Sequence, residues 1–309
     1  VNQNKWDEAC RELDKYVDGE WDDQLAVLAA ATCFALGDRD GAFECIVQGL
    51  KYNYKNYELY LMLGNYYEPK NCNQAWLCYQ NALYYCDNEQ DYDVILQYKQ
   101  RMEQNPDWCV QKVSIVILTY NLKEMNIQCI RSLRDTNDPS SYELIVVDNA
   151  STDGTLEWLE QQLDIKLIGN RENKGFPAGC NQGIKAAEPE NDILLLNNDT
   201  LILPNAIFWL RMGLYQEKRI GATGSMSNWA IPRQQIEQKL DSVEAYIAYG
   251  TAMNIPMKNA MEKKVWLAGF ALLVKRKALD EVGLLDERYS PGQSEDLDLC
   301  VRMNLAGWQ

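Results

Sequence analysis

Residues 193–200 read Ile-Leu-Leu-Leu-Asn-Asn-Asp-Thr, an apolar run that stops abruptly at two amides and a carboxylate. Four apolar residues are too few for an ordinary helix, and helical patterns over 176–187 and 205–215 flank them. The run is therefore expected to be a buried strand of a parallel sheet. In open α/β sheets ligands gather at the carboxyl ends of the strands. Here that end is Asn197-Asn198-Asp199, and the Asp199 carboxylate suits a divalent ion that holds a phosphate. Taken alone, the same tripeptide is a polar turn after a strand.

The pattern repeats along residues 113–196. Apolar runs at 113–118, 143–147, 165–168 and 193–196 alternate with helical patterns over about 121–133, 156–163 and from 176. Short polar loops separate them, which predicts a parallel sheet covered on both faces, with every polar cluster on one rim. Asp148 at a strand end can accept hydrogen bonds from a ring N–H of a pyrimidine base or from ribose, and Thr119 and Asn121 can meet the same base. Gly175 and Gly179 would let backbone approach a ligand, and the following helix start offers N–H groups to phosphate. No Gly-x-Gly-x-x-Gly follows the first run and no Gly-Lys-Ser/Thr loop exists, so dinucleotide-binding and P-loop readings lack their parts.

Residues 1–110 differ in period. Ala31, Phe34, Ala42, Cys45, Gly49 and Leu50 recur 33 positions later as Gly64, Tyr67, Ala75, Cys78, Ala82 and Leu83. Each copy reads helix, polar turn, helix, with small residues at the crossings, and resembles the tetratricopeptide repeat. A partial first repeat is expected over 6–17 and a closing helix over 92–102. Such repeats bind other proteins, self-associate or brace a neighbouring domain. Asn105-Pro106-Asp107 reads as the linker, giving domains at 1–108 and 109–309.

Charge and composition narrow the chemistry. The net charge is −15, with 9 Lys+Arg against 19 Asp+Glu in residues 1–110 and 21 against 26 beyond, which disfavours a nucleic-acid groove. No apolar run approaches the roughly 18 residues of a membrane span. The ten cysteines form no Cys-x-x-Cys pair, which disfavours structural zinc and points to the cytoplasm, including the inner face of its membrane. Histidine is absent, so proton transfer must rest on carboxylates, Lys, Tyr or Cys.

Five motifs in order resemble the family 2 glycosyltransferases of the GT-A fold. They are Val-Ser-Ile-Val-Ile-Leu-Thr-Tyr-Asn (113–121), Val-Val-Asp-Asn-Ala-Ser-Thr-Asp-Gly-Thr (146–155), Asn-Lys-Gly-Phe (173–176), Leu-Asn-Asn-Asp-Thr (196–200) and Ser-Glu-Asp-Leu-Asp-Leu (294–299). Their spelling is closest to a branch with many rhamnosyltransferases of cell-surface polysaccharides. The resemblance implies an α/β, Rossmann-like nucleotide-sugar-binding domain behind an all-α, tetratricopeptide-like one. It also implies inverting transfer of one sugar from a UDP- or dTDP-sugar to a glycan or protein acceptor, with Mn2+ or Mg2+.

Carried over by residue, Thr119, Tyr120, Asn121, Asp148, Asn149 and Ser151 would surround the nucleoside, and Asn173, Lys174, Gly175 and Asn181 the ribose, phosphates and sugar. Asn197, Asn198 and Asp199 would stand at the Asp-x-Asp position, with Asp199 on the metal. Asp296 would be the catalytic base, with Glu295 as substitute or helper. Gly269 and Phe270 would lie where acceptor and donor sugar meet. Trp266 would either stack on a sugar or fill the core. Leu118 stands where the family often has proline. The family also continues beyond the equivalent of Gln309 through another strand, often with a metal-reaching histidine, so C-terminal truncation is expected.

Two other readings remain. A nucleotidyltransferase would need a basic phosphate-gripping loop after the first strand, where this chain has Thr-Tyr-Asn-Leu. A non-catalytic adaptor would use a degenerate transferase domain and the repeats as a binding scaffold. The segment 225–264, with Met226, Trp229 and Met253, carries no motif and is expected to shape the acceptor side.

Overall fold

The computed structural model describes residues 21–231, 234–256 and 261–309; the partial repeat expected over 6–17 lies outside them. The described residues divide into two compact units, the first comprising those up to Val110 together with Ile255 and Pro256.

The described part of residues 1–110 is all-helical: α1 (Asp23–Leu36), α2 (Arg39–Tyr52), α3 (Tyr57–Tyr67), α4 (Cys72–Tyr85) and α5 (Glu89–Glu103). Each starts behind an Asp or Asn whose side chain accepts a first-turn N–H: Asp22, Asp38, Asn56, Asn71 and Asn88. Successive helices pack in pairs, α1 on α2 and α3 on α4. The small residues of the 33-residue repeat stand at the crossings. A Cβ on Gly64 would fall 2.2 Å from the Tyr79 ring, so the tyrosine lies flat on bare backbone. Tyr60 and Tyr79 are among the largest fully buried side chains, in keeping with tyrosines that pack rather than stack on a ligand.

The second unit is built on a six-stranded sheet in the order β3-β2-β1-β4-β6-β5. Its strands are β1 (Val113–Thr119), β2 (Tyr142–Asp148), β3 (Ile165–Gly169), β4 (Asp192–Asn197), β5 (Ala222–Gly224) and β6 (Ala271–Val274). Strands β1 to β4 are mutually parallel as the alternation predicts, whereas β6 runs antiparallel to both β4 and β5. Residues 266–274 read as one apolar run, yet 266–270 form a loop and only Ala271–Val274 pair.

Helices α6 (Lys123–Thr136), α7 (Thr155–Leu159), α8 (Phe176–Ala186), α9 (Ala206–Leu214), α10 (Val243–Met253), α11 (Arg276–Val282) and α12 (Glu295–Leu305) connect and cover the strands. Alternate residues Val116, Ile145, Ile193, Leu195, Leu272 and Val274 share one core with Cys180, Leu279, Leu299 and Met303. The intervening Ile115, Ile117, Val146 and Leu194 are equally buried, as strands covered on both faces require. Helix α8 sits directly on β1, since a Cβ on Gly179 or Gly183 would meet Leu118 at 2.4 Å or Val116 at 2.3 Å. Gly179 therefore serves helix-on-strand packing and not the ligand approach expected from sequence.

Candidate active site

Strand register brings the polar tips together. Thr119 lies opposite Asp148, Leu118 opposite Asn197, and Asp148 opposite Gly169. Because β6 is antiparallel, its start is on this same rim, where Leu196 pairs with Ala271. The loop 266–270 thus feeds into the site for a topological reason that sequence alone did not reveal.

After β1 the chain turns sharply, with Asn121 and Leu122 at φ of 60° and 61°. Asn126, 1% exposed on α6, holds this turn by donating from its amide to the carbonyls of Asn121 (2.8 Å) and Leu122 (3.0 Å), and its oxygen accepts from Asn198 (3.1 Å). Neighbouring loops close on it. The Asn121 N–H donates to Ser151 Oγ (2.7 Å), and the Thr152 N–H donates to Asn121 Oδ1 (2.8 Å). Asn121 and Ser151 brace each other, leaving Tyr120, 51% exposed, as the side chain facing outward.

Asp148 is fully buried. Its Oδ2 accepts the Ser151 N–H at 3.0 Å, while Oδ1 is buried without a hydrogen-bond partner. An unanswered buried carboxylate oxygen is costly, and its place at the end of β2 beside Thr119 gives it the character of a waiting acceptor.

Asn149 has a different duty from the one expected. Its Nδ2 donates to Asn173 Oδ1 and to the Gly175 carbonyl (both 3.2 Å), and its Oδ1 accepts from Asn170 (2.8 Å). It braces the 170–175 loop. Asn181 likewise faces inward instead of lining the sugar: its amide donates to the Leu285 carbonyl (2.8 Å) and Glu287 (3.0 Å), and its oxygen accepts the Leu285 N–H (3.1 Å). Sequence cannot tell which way an amide points. Asn173 and Lys174 are exposed, and Gly175, at φ 82°, immediately precedes α8.

The second carboxylate group lies at the start of α12. Asp298 turns along the helix to Arg302 (2.7 Å). Asp296, half-buried, instead accepts the Gly269 N–H through Oδ2 at 2.9 Å. One residue on, the Phe270 carbonyl accepts the Asn197 N–H at 2.8 Å. Two hydrogen bonds thus join Asp296 to the tip carrying Asp199. Gln234, 3% exposed, steadies this loop by accepting the Ala268 N–H (2.7 Å) and donating to the Ser225 carbonyl (3.0 Å). It was missed in the sequence because it belongs to no motif. Trp266 is partly buried and packs against the core.

No thiol here is poised for attack. Burial pushes Cys129 up to about 12 and Cys300 up to about 11, with the charges of Asp199 and Asp296 respectively adding to the rise. Asp199 is exposed, and among the described residues no group of three His, Cys, Asp or Glu could enclose an ion. One carboxylate does not form a metal cage; it fits an ion that brings other oxygens with it.

A family model described as Glycosyl transferase family 2 matches residues 114–281. An uncharacterised glycosyltransferase of Bacillus subtilis, YfnE, is 27% identical over 248 aligned residues, covering 63% of this chain and 61% of that protein. The N-acetylglucosaminyl-diphospho-decaprenol L-rhamnosyltransferase of Mycobacterium tuberculosis is 30% identical over 190, covering 53% and 62%. The chain spans less than two thirds of the length of either. Among solved structures, a mannosyltransferase from Pyrobaculum calidifontis in complex with GDP-Man and Mn2+ is similar at 18% identity and a TM-score of 0.47, covering 76% of this chain and 65% of that one.

Proposed function

The chain belongs to glycosyl transferase family 2, and we propose that it moves one sugar from a UDP- or dTDP-sugar to a hydroxyl of a glycan, with inversion. The observation that carries this reading is the hydrogen-bonded line from Asp296 through Gly269 and Phe270 to Asn197, which sets a carboxylate beside the tip of β4. Asp296 takes the acceptor proton as that oxygen attacks the anomeric carbon from the face opposite the diphosphate. A positioned base of this kind contributes about 10²- to 10⁴-fold. Single displacement needs no protein nucleophile, in keeping with the high thiol pKa values around the site.

Asp148 Oδ1 suits the imide N–H of uracil or thymine, with Tyr120 beside it and the Asn173–Gly175 stretch toward the phosphates. Asp199 would hold Mn2+ or Mg2+ together with diphosphate oxygens; when bound, the ion neutralises charge on the leaving group. The name of the Mycobacterium relative supports a deoxyhexose and a sugar hydroxyl as acceptor, there on a lipid-linked N-acetylglucosamine; a protein acceptor is the alternative. The helical unit, read as tetratricopeptide-like, would dock a protein partner or a second copy.

Calorimetric titration with UDP, dTDP and GDP, with and without Mn2+, tests the donor site on this chain and on Asp199→Ala. Metal-dependent binding of one pyrimidine diphosphate that is weakened in Asp199→Ala is expected. Binding of none of them by a folded chain would favour the adaptor reading.

A further inference from the structure

The turn that leads into α12 is strained, and proton transfer by Asp296 does not by itself call for that strain. Gly292, Gln293 and Ser294 have φ of 155°, 100° and 73°. The last two carry side chains in a region that L-residues rarely occupy, and such residues persist where neighbours over-determine them.

Three contacts do so. The Glu295 carboxylate, 7% exposed, accepts the Gln293 N–H through Oε2 at 2.7 Å. The Pro291 carbonyl accepts the N–H of Phe176, the first residue of α8, at 2.7 Å. Gly175 is pressed so closely that a Cβ there would lie 2.4 Å from Ser290 Oγ and 3.2 Å from Pro291 Cα. Glu295 is also near the body of α8: burial first, and then the Glu295 charge, push the Cys180 thiol up. An acidic residue at a helix start is favourable to the helix dipole even when solvated, so the dipole does not account for its burial on the Gln293 amide.

We propose that Glu295 is a positioning residue, clasping the donor loop at Gly175 and Phe176 to the segment that bears Asp296, through the Gln293 amide and the Pro291 carbonyl. The functional consequence rests on the glycosyl-transfer reading: donor loop and base are held as one body, so a loosened clasp weakens donor binding and turnover together. No proton passes through Glu295.

The test compares Glu295→Ala with Glu295→Gln by hydrogen exchange at the Phe176 amide and by steady-state sugar transfer from UDP-glucose and from dTDP-rhamnose. Gln retains an acceptor oxygen for the Gln293 N–H, whereas Ala removes it. In Glu295→Ala the Phe176 amide is expected to exchange about 10-fold faster, with kcat lowered and donor KM raised, and in Glu295→Gln most of each change is recovered. Gly175→Ala drives Ser290 away from the other side and reproduces the faster exchange, which covers the case that Glu295→Ala fails to fold. Unchanged exchange in Glu295→Ala or, should that variant not fold, in Gly175→Ala overturns the clasp. So does a Gln variant as inactive as Ala with Phe176 still protected, which would make Glu295 a proton carrier. If the wild type binds no nucleotide and transfers no sugar, the glycosyl-transfer reading fails, and the exchange comparison still decides the clasp.

Discussion

Asp148 and Asp192 stand at opposite ends of one sheet, both buried, and their surroundings could hardly differ more. Asp192, at the start of β4, has both oxygens answered: Oδ2 by the Tyr215 hydroxyl and Oδ1 by the Arg276 N–H. Its neighbours are cross-linked as well, with Gln111 N–H donating to Tyr215, Arg211 donating to the Gln111 carbonyl, and Lys275 donating to the carbonyls of Glu217 and Lys218. Asp148, at the end of β2, has one oxygen answered and one bare, among residues with positive φ at 121, 122 and 150. Burial alone therefore does not mark function. A buried carboxylate with both oxygens answered serves the fold, and one kept short of a partner in a strained setting suits an incoming donor.

The largest effect expected from that contrast is at the working rim. Asp296→Asn should lower turnover by about 10²- to 10⁴-fold while leaving diphosphate affinity, read by calorimetry, within about twofold. Undiminished turnover would break the assignment of that rim to catalysis. At the opposite rim, Asp192→Ala removes the acceptor of both Tyr215 and Arg276, and should lower the unfolding free energy by about 3 kcal/mol in urea denaturation without altering nucleotide affinity. The reverse pattern is expected of Asp148→Asn, which should change stability by less than about 1 kcal/mol yet weaken nucleotide binding about 10- to 100-fold. Equal effects of the two substitutions on stability would erase the comparison.

A smaller effect sharpens it through pH. Burial raises the Asp192 pKa above its ordinary 3.8, opposed in part by the Tyr215 hydroxyl and the Arg276 N–H. The folded chain therefore holds this proton more tightly than the unfolded chain. Its contribution to stability is full below the ordinary value and is lost as pH rises through the raised one. Urea denaturation of the wild type and of Asp192→Asn, followed upward from about pH 3, should give a difference curve that falls across that window; a flat curve would contradict the shift.

The central sheet was legible because runs such as Val-Ser-Ile-Val-Ile-Leu and Ile-Leu-Leu-Leu are too short and too apolar to be other than covered strands, and each ends in polar residues. The paired helices of residues 23–85 were legible from the spacing of small and aromatic residues, which must meet at crossings. Less could be read where meaning depends on direction. The antiparallel insertion of β6 beside β4 leaves no trace in periodicity, and neither does the inward aim of Asn149 and Asn181. Asn126 and Gln234, which hold the rim in shape, lie outside every motif and are recognisable only through their partners. Among the described residues of the 225–264 segment, α10 buries none of its own and Trp229 is 84% exposed, so little core pattern was there to find.

The placement of β6 has a further consequence, one of timing. Its partner β4 ends at Asn197 and β6 ends at Val274, so 77 residues (274 − 197) must be made before that edge of β4 is covered. At about 5–20 residues per second, synthesis leaves an apolar strand edge open for roughly 4–15 s, and such an edge is a template for wrong pairing. A nascent chain arrested before Ala271 is therefore expected to sediment as aggregate more readily than one arrested well beyond Val274. Faster synthesis through the stretch between β4 and β6 is accordingly expected to raise the soluble fraction of the protein.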